Sequence, residues 1–526
     1  MDTALGGQIG DALARLPEYL GGHVAVSLTA LLLGLTVSLP LALISIRRPA
    51  LRRLLLGAAS IVQTVPGLAL LALFYPLLLG LAALCERLLG VGFSALGFLP
   101  SVLALALYSM LPVLRNTIAG LTGIDRAIHE AALGVGMTRR QSLLMVELPL
   151  ALPVIMAGVR TAAVWVIGTA TLSTPIGQTS LGNYIFTGLQ TQNWVFVLFG
   201  CAAAAVFALL VDQLLALVEG GVIRRSRARV AAGALGILIV VAAALAPSLS
   251  QRQATYVIGA KPFGEQYILA SLIEQRLASA GLSATKREGL GSSVIFDALA
   301  AGEIDAYVDY SGTIWANQLR RGDLKPRDEL LADITKWLSE KHRITLLGAL
   351  GFENAYALAM PRSRAEALGI RTIADLAAHA PNFSIAGDYE FFARPEWAVI
   401  RKAYGLSFRE QRQMQPEFMY AAAAKHEVNV ISAYTSDGRI AKYDLAVLDD
   451  PKRTIPPYDA ILLISPRRLH DEMLLSALRP LLNSIDVTSM RAANLRAIDG
   501  ANASPKVAAQ WLWNEIQRRD SGARQR

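Results

Sequence analysis

The sequence predicts two fold classes in one chain: an all-α membrane domain of about six transmembrane helices, then a two-lobed α/β clamp. Up to about Ser250 the chain is a series of long apolar runs broken by short arginine clusters; beyond it the sequence is mixed and polar. Every lysine lies at Lys261 or later. In the second part short aliphatic runs alternate with helical segments, the pattern of layered strands and helices. At 526 residues the chain is too long for one domain. The boundaries read as 1–229 for the membrane domain, 230–253 for a sixth span and linker, and 254–526 for the clamp, with a second lobe at about 358–458.

A span needs roughly 20 apolar residues to cross a ~30 Å hydrocarbon core. Six stretches qualify, at about 23–46, 54–82, 96–116, 150–174, 194–219 and 230–249. Pro66-Gly67 and Pro153 fall inside the second and fourth, where neighbouring helices or water must satisfy the freed backbone groups. Arg47, Arg48, Arg52 and Arg53 follow span one, and Arg126, Arg139 and Arg140 lie between spans three and four. Arg224, Arg225, Arg227 and Arg229 follow span five, while the opposite loops hold little more than Arg15 and Arg87. The N-terminus is therefore expected outside and the arginine-rich loops in the cytoplasm. The net charge of +9 reads as topology, not as a nucleic-acid surface. Arg160 and Asp212 are ionisable residues inside spans. Arg160 reads as a structural partner of a backbone carbonyl and Asp212 as interfacial, ahead of transport roles. The stretch from Thr174 to Asn193 reads as an outward-side loop or short helix.

The most specific stretch is His129-Glu130-Ala131-Ala132-Leu133-Gly134-Val135-Gly136, followed by Val146-Glu147-Leu148-Pro149. Small alanines allow close helix contact, glycine breaks a helix, and proline starts the next element. Glu-Ala-Ala, Gly136 four residues on, and an aliphatic-x-Leu-Pro ending together resemble the cytoplasmic coupling loop of ABC importer permeases. The resemblance implies short helices within about 117–149 that dock on a separate ATPase chain, with Glu130, Ala131, Ala132, Gly136, Leu148 and Pro149 at the contact. One loop serves one ATPase, so a two-fold assembly takes two copies of this chain and two ATPase subunits.

Met1 to Leu20 contains Asp2, Asp11 and Glu18 and reads as no cleavable signal. Span six does have the order of a secretory signal: Arg224 to Arg229, an apolar run from Val230, then Ala244-Leu245-Ala246. Pro247 directly afterwards should discourage cleavage, so the span reads as a retained anchor. It would place the clamp on the periplasmic side of a bacterial inner membrane.

In the clamp, Tyr256 to Gly259, Ile304 to Val308, Phe383 to Ala386, Val428 to Ser432 and Leu445 to Leu448 read as strands, and Gln266 to Ala280 as a helix. Asp309 to Thr313 reads as a turn into another helix. Gly264-Glu265-Gln266-Tyr267, Leu290-Gly291-Ser292-Ser293, Asp309-Tyr310-Ser311-Gly312-Thr313, Asn354-Ala355-Tyr356, Gly387-Asp388-Tyr389-Glu390-Phe391-Phe392 and Ala433-Tyr434-Thr435-Ser436-Asp437-Gly438-Arg439 occur in this order. These blocks resemble the osmoprotectant-binding family of periplasmic binding proteins. The resemblance implies a clamp for glycine betaine, choline, carnitine or a similar quaternary ammonium compound; a related branch takes up ergothioneine, a trimethylated histidine betaine.

The residues suit that chemistry. A quaternary ammonium offers no hydrogen-bond donor, so aromatic faces must hold it, each contributing ~0.5–2 kcal/mol when desolvated. Tyr310, Tyr356 and Tyr434 match family positions for such faces, and Phe391 is a weaker candidate. For a carboxylate, Ser311, Thr313 and the helix start after Gly312 are candidate donors, and Arg394 a bidentate partner. Asp388 and Glu390 either face the ligand or organise Arg394; Gln266 is a polar contact. Asp437 and Arg439 read as a structural turn pair.

No convergent acid, base or nucleophile set points to an enzyme. Gly259-x4-Gly264 begins like a phosphate loop, but Glu265-Gln266 replaces the required Lys-Ser/Thr. Two cysteines, both in the apolar half, and six histidines without ligand spacing give no reason to expect a metal or other cofactor. The rival reading is a membrane-tethered sensor that transports nothing; a docking loop would be useless to it.

Overall fold

A computed structural model describes residues 2–89, 93–190, 193–250, 256–388, 391–499 and 503–524. The chain divides into two compact units: Ile9–Phe186 with Val195–Arg252, and Met1–Gln8 with Thr187–Trp194 and Gln253–Arg526.

The helical elements are α1 (Asp2–Ile46), α2 (Pro49–Thr64), α3 (Gly67–Leu89), α4 (Phe98–Thr122), α5 (Arg126–Gly134), α6 (Arg139–Ser142), α7 (Leu148–Ala170), α8 (Gly182–Gln190), α9 (Trp194–Ile223) and α10 (Arg227–Ser250). Among the described residues six segments are long and apolar enough to cross a membrane. The second expected span, 54–82, is not continuous. Val65 takes an extended conformation (ψ 129°), the one that the ring of Pro66 favours for the residue before it, so α2 and α3 are separate helices. The carbonyl this frees at Val65 accepts from the Tyr108 hydroxyl on α4. The first helix is longer than its expected span, running unbroken through Pro17 and Pro40.

Glycines let α4 and α7 approach closely: a Cβ on Gly158 would stand 2.8 Å from the Pro112 carbonyl oxygen. Two residues after Gly158, Arg160 on α7 meets two carboxylates of α9. Its Nε and Nη2 each donate to Asp212 at 2.9 Å, and Nη1 donates to Glu219 at 2.8 Å. This corrects the expected backbone-carbonyl partner. Asp212 and Glu219 lie seven residues apart, two helical turns, so both face the same guanidinium.

Between α4 and α7 the chain is a run of short helices. Asp125 caps α5 by accepting from the Ala127 N–H, and Thr138 with Gln141 forms a capping box for α6. Gly136 has φ +84°, a left-handed turn that ordinary side chains resist. A π-turn (Leu143–Glu147) leads into α7, with Pro149 in its first turn.

Among its described residues the other unit holds two five-stranded sheets. The first contains β1 (Tyr256–Gly259), β2 (Ala284–Arg287), β3 (Ala306–Tyr310), β4 (Thr345–Glu353) and β10 (Asp459–Ile464), in the order β2-β1-β3-β10-β4. The second contains β5 (Tyr356–Pro361), β6 (Ser384–Gly387), β7 (Glu410–Gln413), β8 (Val430–Tyr434) and β9 (Leu445–Val447), in the order β7-β6-β8-β5-β9. The chain crosses between the sheets twice, at Asn354-Ala355 and again before β10, where the Asn354 N–H donates to the Tyr458 carbonyl at 2.9 Å. Helix α11 (Gly264–Ser279) packs on β1 and β3 with its middle buried. β10 runs antiparallel between β3 and β4, which returns the chain to the first lobe.

Candidate functional site

A cavity of ≈ 260 Å³ lies in the two-sheet unit. The strands place its aromatic wall. Tyr356 opens β5 and Tyr434 closes β8, and the two are direct partners in the antiparallel register, so their rings meet at 4.9 Å. Tyr458, on the second crossover, stands edge-on to Tyr356 at 5.9 Å. Tyr310 ends β3 and stacks on Phe263 at 6.1 Å. A Cβ at position 312 would fall 2.5 Å from the Tyr458 ring, so Gly312 makes room for that ring.

The hydroxyls are tied down. Tyr434 donates to Asp388 (2.6 Å), Tyr310 to Glu265 (2.5 Å), and Tyr458 to Glu396. Burial pushes all three phenols well above their usual range, with the neighbouring carboxylates adding to the shift for Tyr310 and Tyr434. They stay neutral and line the cavity. Burial also raises Glu265, opposed by donors from Ser436, Tyr310 and Asn494.

Cationic groups line the same space. Arg394 is 8% exposed; its Nη1 donates to the Tyr458 hydroxyl at 3.2 Å, and its guanidinium lies 5.2 Å from the Tyr356 ring centre. Lys261 is ion-paired with buried Asp309, which also accepts from the Tyr307 hydroxyl at 2.6 Å. Asp437 and Arg439 form a turn pair at 2.5 Å and also border the cavity.

Of the residues expected from sequence, Tyr310, Thr313, Tyr356, Asp388, Arg394 and Tyr434 line the cavity together. Three stand behind it. Ser311 donates to the Pro457 carbonyl and accepts from the Asp459 N–H, so its hydroxyl secures the crossover. Phe391 is fully buried between Tyr356 and Trp397, backing the wall. Gln266 donates to the Tyr310 hydroxyl at 3.1 Å and accepts from the Lys261 N–H. Asp388 accepts from Tyr434 and from the Phe391 N–H, so among its described bonds it organises the tyrosine and the loop. The helix after Tyr310 is only Ser311–Thr313 before a π-turn, too short to offer a helix dipole. Glu390 lies outside the described residues.

Sequence reasoning missed Phe263, Glu265, Asn354, Ser436, Tyr458 and Asn494 on the cavity wall. Glu265, Asn354 and Ser436 sit inside the motif blocks and were within reach; Asn494 gave no local signal.

In the helical unit, Glu130 makes an exposed pair with Arg126 at 2.9 Å. Ala131 and Gly136 are exposed, Ala132 is buried, Leu148 is half-buried and Pro149 exposed. Leu133, Val135, Leu144 and Met145 are exposed as well, Val135 to 75%.

A unit with six membrane-length apolar segments among its described residues, joined to an aromatic-walled clamp, defines a class: the membrane and ligand-capturing parts of a binding-protein-dependent importer. Residues 32–224 match the binding-protein-dependent transport system inner membrane component, and residues 254–514 match the substrate-binding domain of ABC-type glycine betaine transport systems. The chain is 30% identical over 477 residues to the ergothioneine transport permease/ergothioneine binding protein EgtU of Helicobacter pylori (strain G27), covering 87% of this chain and 83% of that one. It is 39% identical over 197 residues to the choline transport system permease protein OpuBB of Bacillus subtilis (strain 168), covering 38% of this chain and 83% of that one. A crystal structure titled glycine betaine/carnitine/choline ABC transporter is 28% identical, with a TM-score of 0.45, over 50% of this chain and 98% of that one. The chain belongs to the family of fused ABC importer permeases and osmoprotectant-type substrate-binding proteins.

Proposed function

We propose that the clamp captures a trimethylammonium zwitterion and passes it to the helical unit for ATP-driven import. The observation that carries this is the convergence of Tyr310, Tyr356, Tyr434 and Tyr458 with Arg394 on one cavity. Ring faces attract a cation that cannot hydrogen-bond, and Arg394 is a partner for a carboxylate. Glycine betaine and carnitine have both features; choline lacks the carboxylate. The ergothioneine reading draws support from a likeness that runs through both units, and from the amides of Asn354, Gln415 and Asn494 on the wall, which a ring with its own polar atoms would use.

ATP hydrolysis belongs in this reading to separate cytoplasmic subunits, two per pair of this chain, docked on Glu130 to Pro149. The arginine distribution supports that side as cytoplasmic and the clamp as periplasmic. Calorimetry of the full chain against glycine betaine, carnitine, choline and ergothioneine tests the ligand class; binding of none would reject it. Ligand-stimulated hydrolysis after adding the cognate ATPase separates an importer from a sensor.

A further inference from the structure

Glu265 stands in the first turn of α11 and is 5% exposed. Tyr310 Oη (2.5 Å) and Asn354 Nδ2 (3.1 Å) donate to its Oε1, and Ser436 Oγ (2.6 Å) and Asn494 Nδ2 (2.8 Å) to its Oε2. A carboxylate has about four lone-pair sites, so this one keeps no acceptor for a ligand, although it borders the cavity. The donors come from three places. Tyr310 ends β3 in the first lobe, and Asn494 lies on the helix Val487–Ile498 that packs on α11 and β4. Asn354 is on the first crossover, and Ser436 follows β8 in the second lobe.

The turn around Ser436 is drawn onto the first lobe elsewhere too. Asn494 Nδ2 donates to the Ser436 carbonyl (2.8 Å) and Arg491 Nε to the Thr435 carbonyl (2.7 Å). A Cβ on Gly438 would stand 2.5 Å from the Leu495 nitrogen, so only glycine fits at that contact.

We propose that Glu265 is a positioning residue that latches the clamp shut, its acceptance completed only when Ser436 of the second lobe closes onto it. The proposal rests on reading this unit as a ligand clamp. Opening would strip Ser436 from Oε2, so escape of a ligand must first break a charge-assisted bond, whereas capture need not. The latch therefore acts on dissociation.

The test uses the full chain with Cys85 and Cys201 replaced by serine. Spin labels go on Glu340→Cys in the first lobe and Glu366→Cys in the second, both exposed positions. Pulsed dipolar spectroscopy then reads the interlobe distance without ligand. Glu265→Gln, which turns an NH₂ toward the same donors, and Ser436→Ala, which alters only the other lobe, should each shift the population toward the longer distance. The double variant should add nothing further, as expected for one shared interaction. Radiolabelled ergothioneine should dissociate about tenfold faster from either variant, with association changed less than about twofold. An unchanged distance distribution in both single variants, or slower association with unchanged dissociation, would overturn the latch. If the wild type binds no ergothioneine, betaine or choline and the distances still lengthen, the latch stands and the ligand class falls.

Discussion

The cavity wall and the α5–α7 segment are opposite kinds of surface. In the wall, polar groups are buried and bonded within the chain: Glu265 takes four donors, and Tyr434 is held by Asp388. In the segment, Glu130 has one exposed pair, and Val135 and Met145 are 75% and 65% exposed. A wall made for a small ligand must be pre-organised before the ligand arrives, because ordering it afterwards would cost affinity. The segment proposed to dock an ATPase is instead left with apolar side chains uncovered, as a surface for another protein would be.

The sharpest way to break that contrast is Gly136→Val. The substitution meets no neighbour but forces a β-branched residue to φ +84°. Transport by the assembled importer should fall to background, while ligand affinity of the same chain is unchanged. Normal transport would remove the segment from the docking role.

The next largest effect lies in the wall. Tyr356→Ala and Tyr434→Ala should each cost roughly tenfold in affinity, ~1–2 kcal/mol, read by calorimetry. The phenylalanine variants divide by hydroxyl. Tyr310→Phe and Tyr434→Phe each leave a buried carboxylate, Glu265 or Asp388, one donor short and should cost more than Tyr356→Phe. Arg394→Ala should weaken glycine betaine and spare choline; equal losses would mean that Arg394 only shapes the wall.

A third test uses pH. Burial raises Tyr307, Tyr310, Tyr420, Tyr434 and Tyr458 well above the usual phenol value. Unfolded tyrosines ionise near ~10 while these remain protonated, so the stability they contribute is present below about pH 10 and is lost as pH rises toward the folded values. Tryptophan fluorescence should show the two-sheet unit losing denaturation resistance from about pH 10 upward. A flat profile to pH 11 would show that these five tyrosines are not shielded from water.

The smallest effect belongs to Glu130→Ala. An exposed i,i+4 pair contributes ~0.3–0.5 kcal/mol, so the melting temperature should barely move. Binding of the ATPase should nevertheless weaken if Glu130 is at the contact.

Much of this was legible in the chain itself. Apolar length announced the six spans, because the thickness of a hydrocarbon core sets how many apolar residues a helix needs. Gly136 marked where α5 gives way to a left-handed turn, since such a turn favours glycine; Pro149 marked no start, because the helix that Thr138 caps passes through the π-turn into α7 without a break. Tyr310, Tyr356 and Tyr434 could be picked out because each sits in a short motif. What the sequence could not order was anything set by distant partners. The break at Val65 shows only as Pro66; that Tyr108, 43 residues on, would satisfy the freed carbonyl depends on how α4 packs. Arg160 reads as a lone charge until α9 brings Asp212 and Glu219 to it. Ser311 and Tyr458 exchanged expected importance because β10 returns beside β3, turning the serine to the crossover and the tyrosine to the cavity. Asn494, 229 residues from Glu265, reaches it only through the packing of two helices. Local backbone preference and hydrophobic length are written residue by residue, whereas a hydrogen bond needs two groups within about 3 Å, and only the folded chain decides which two.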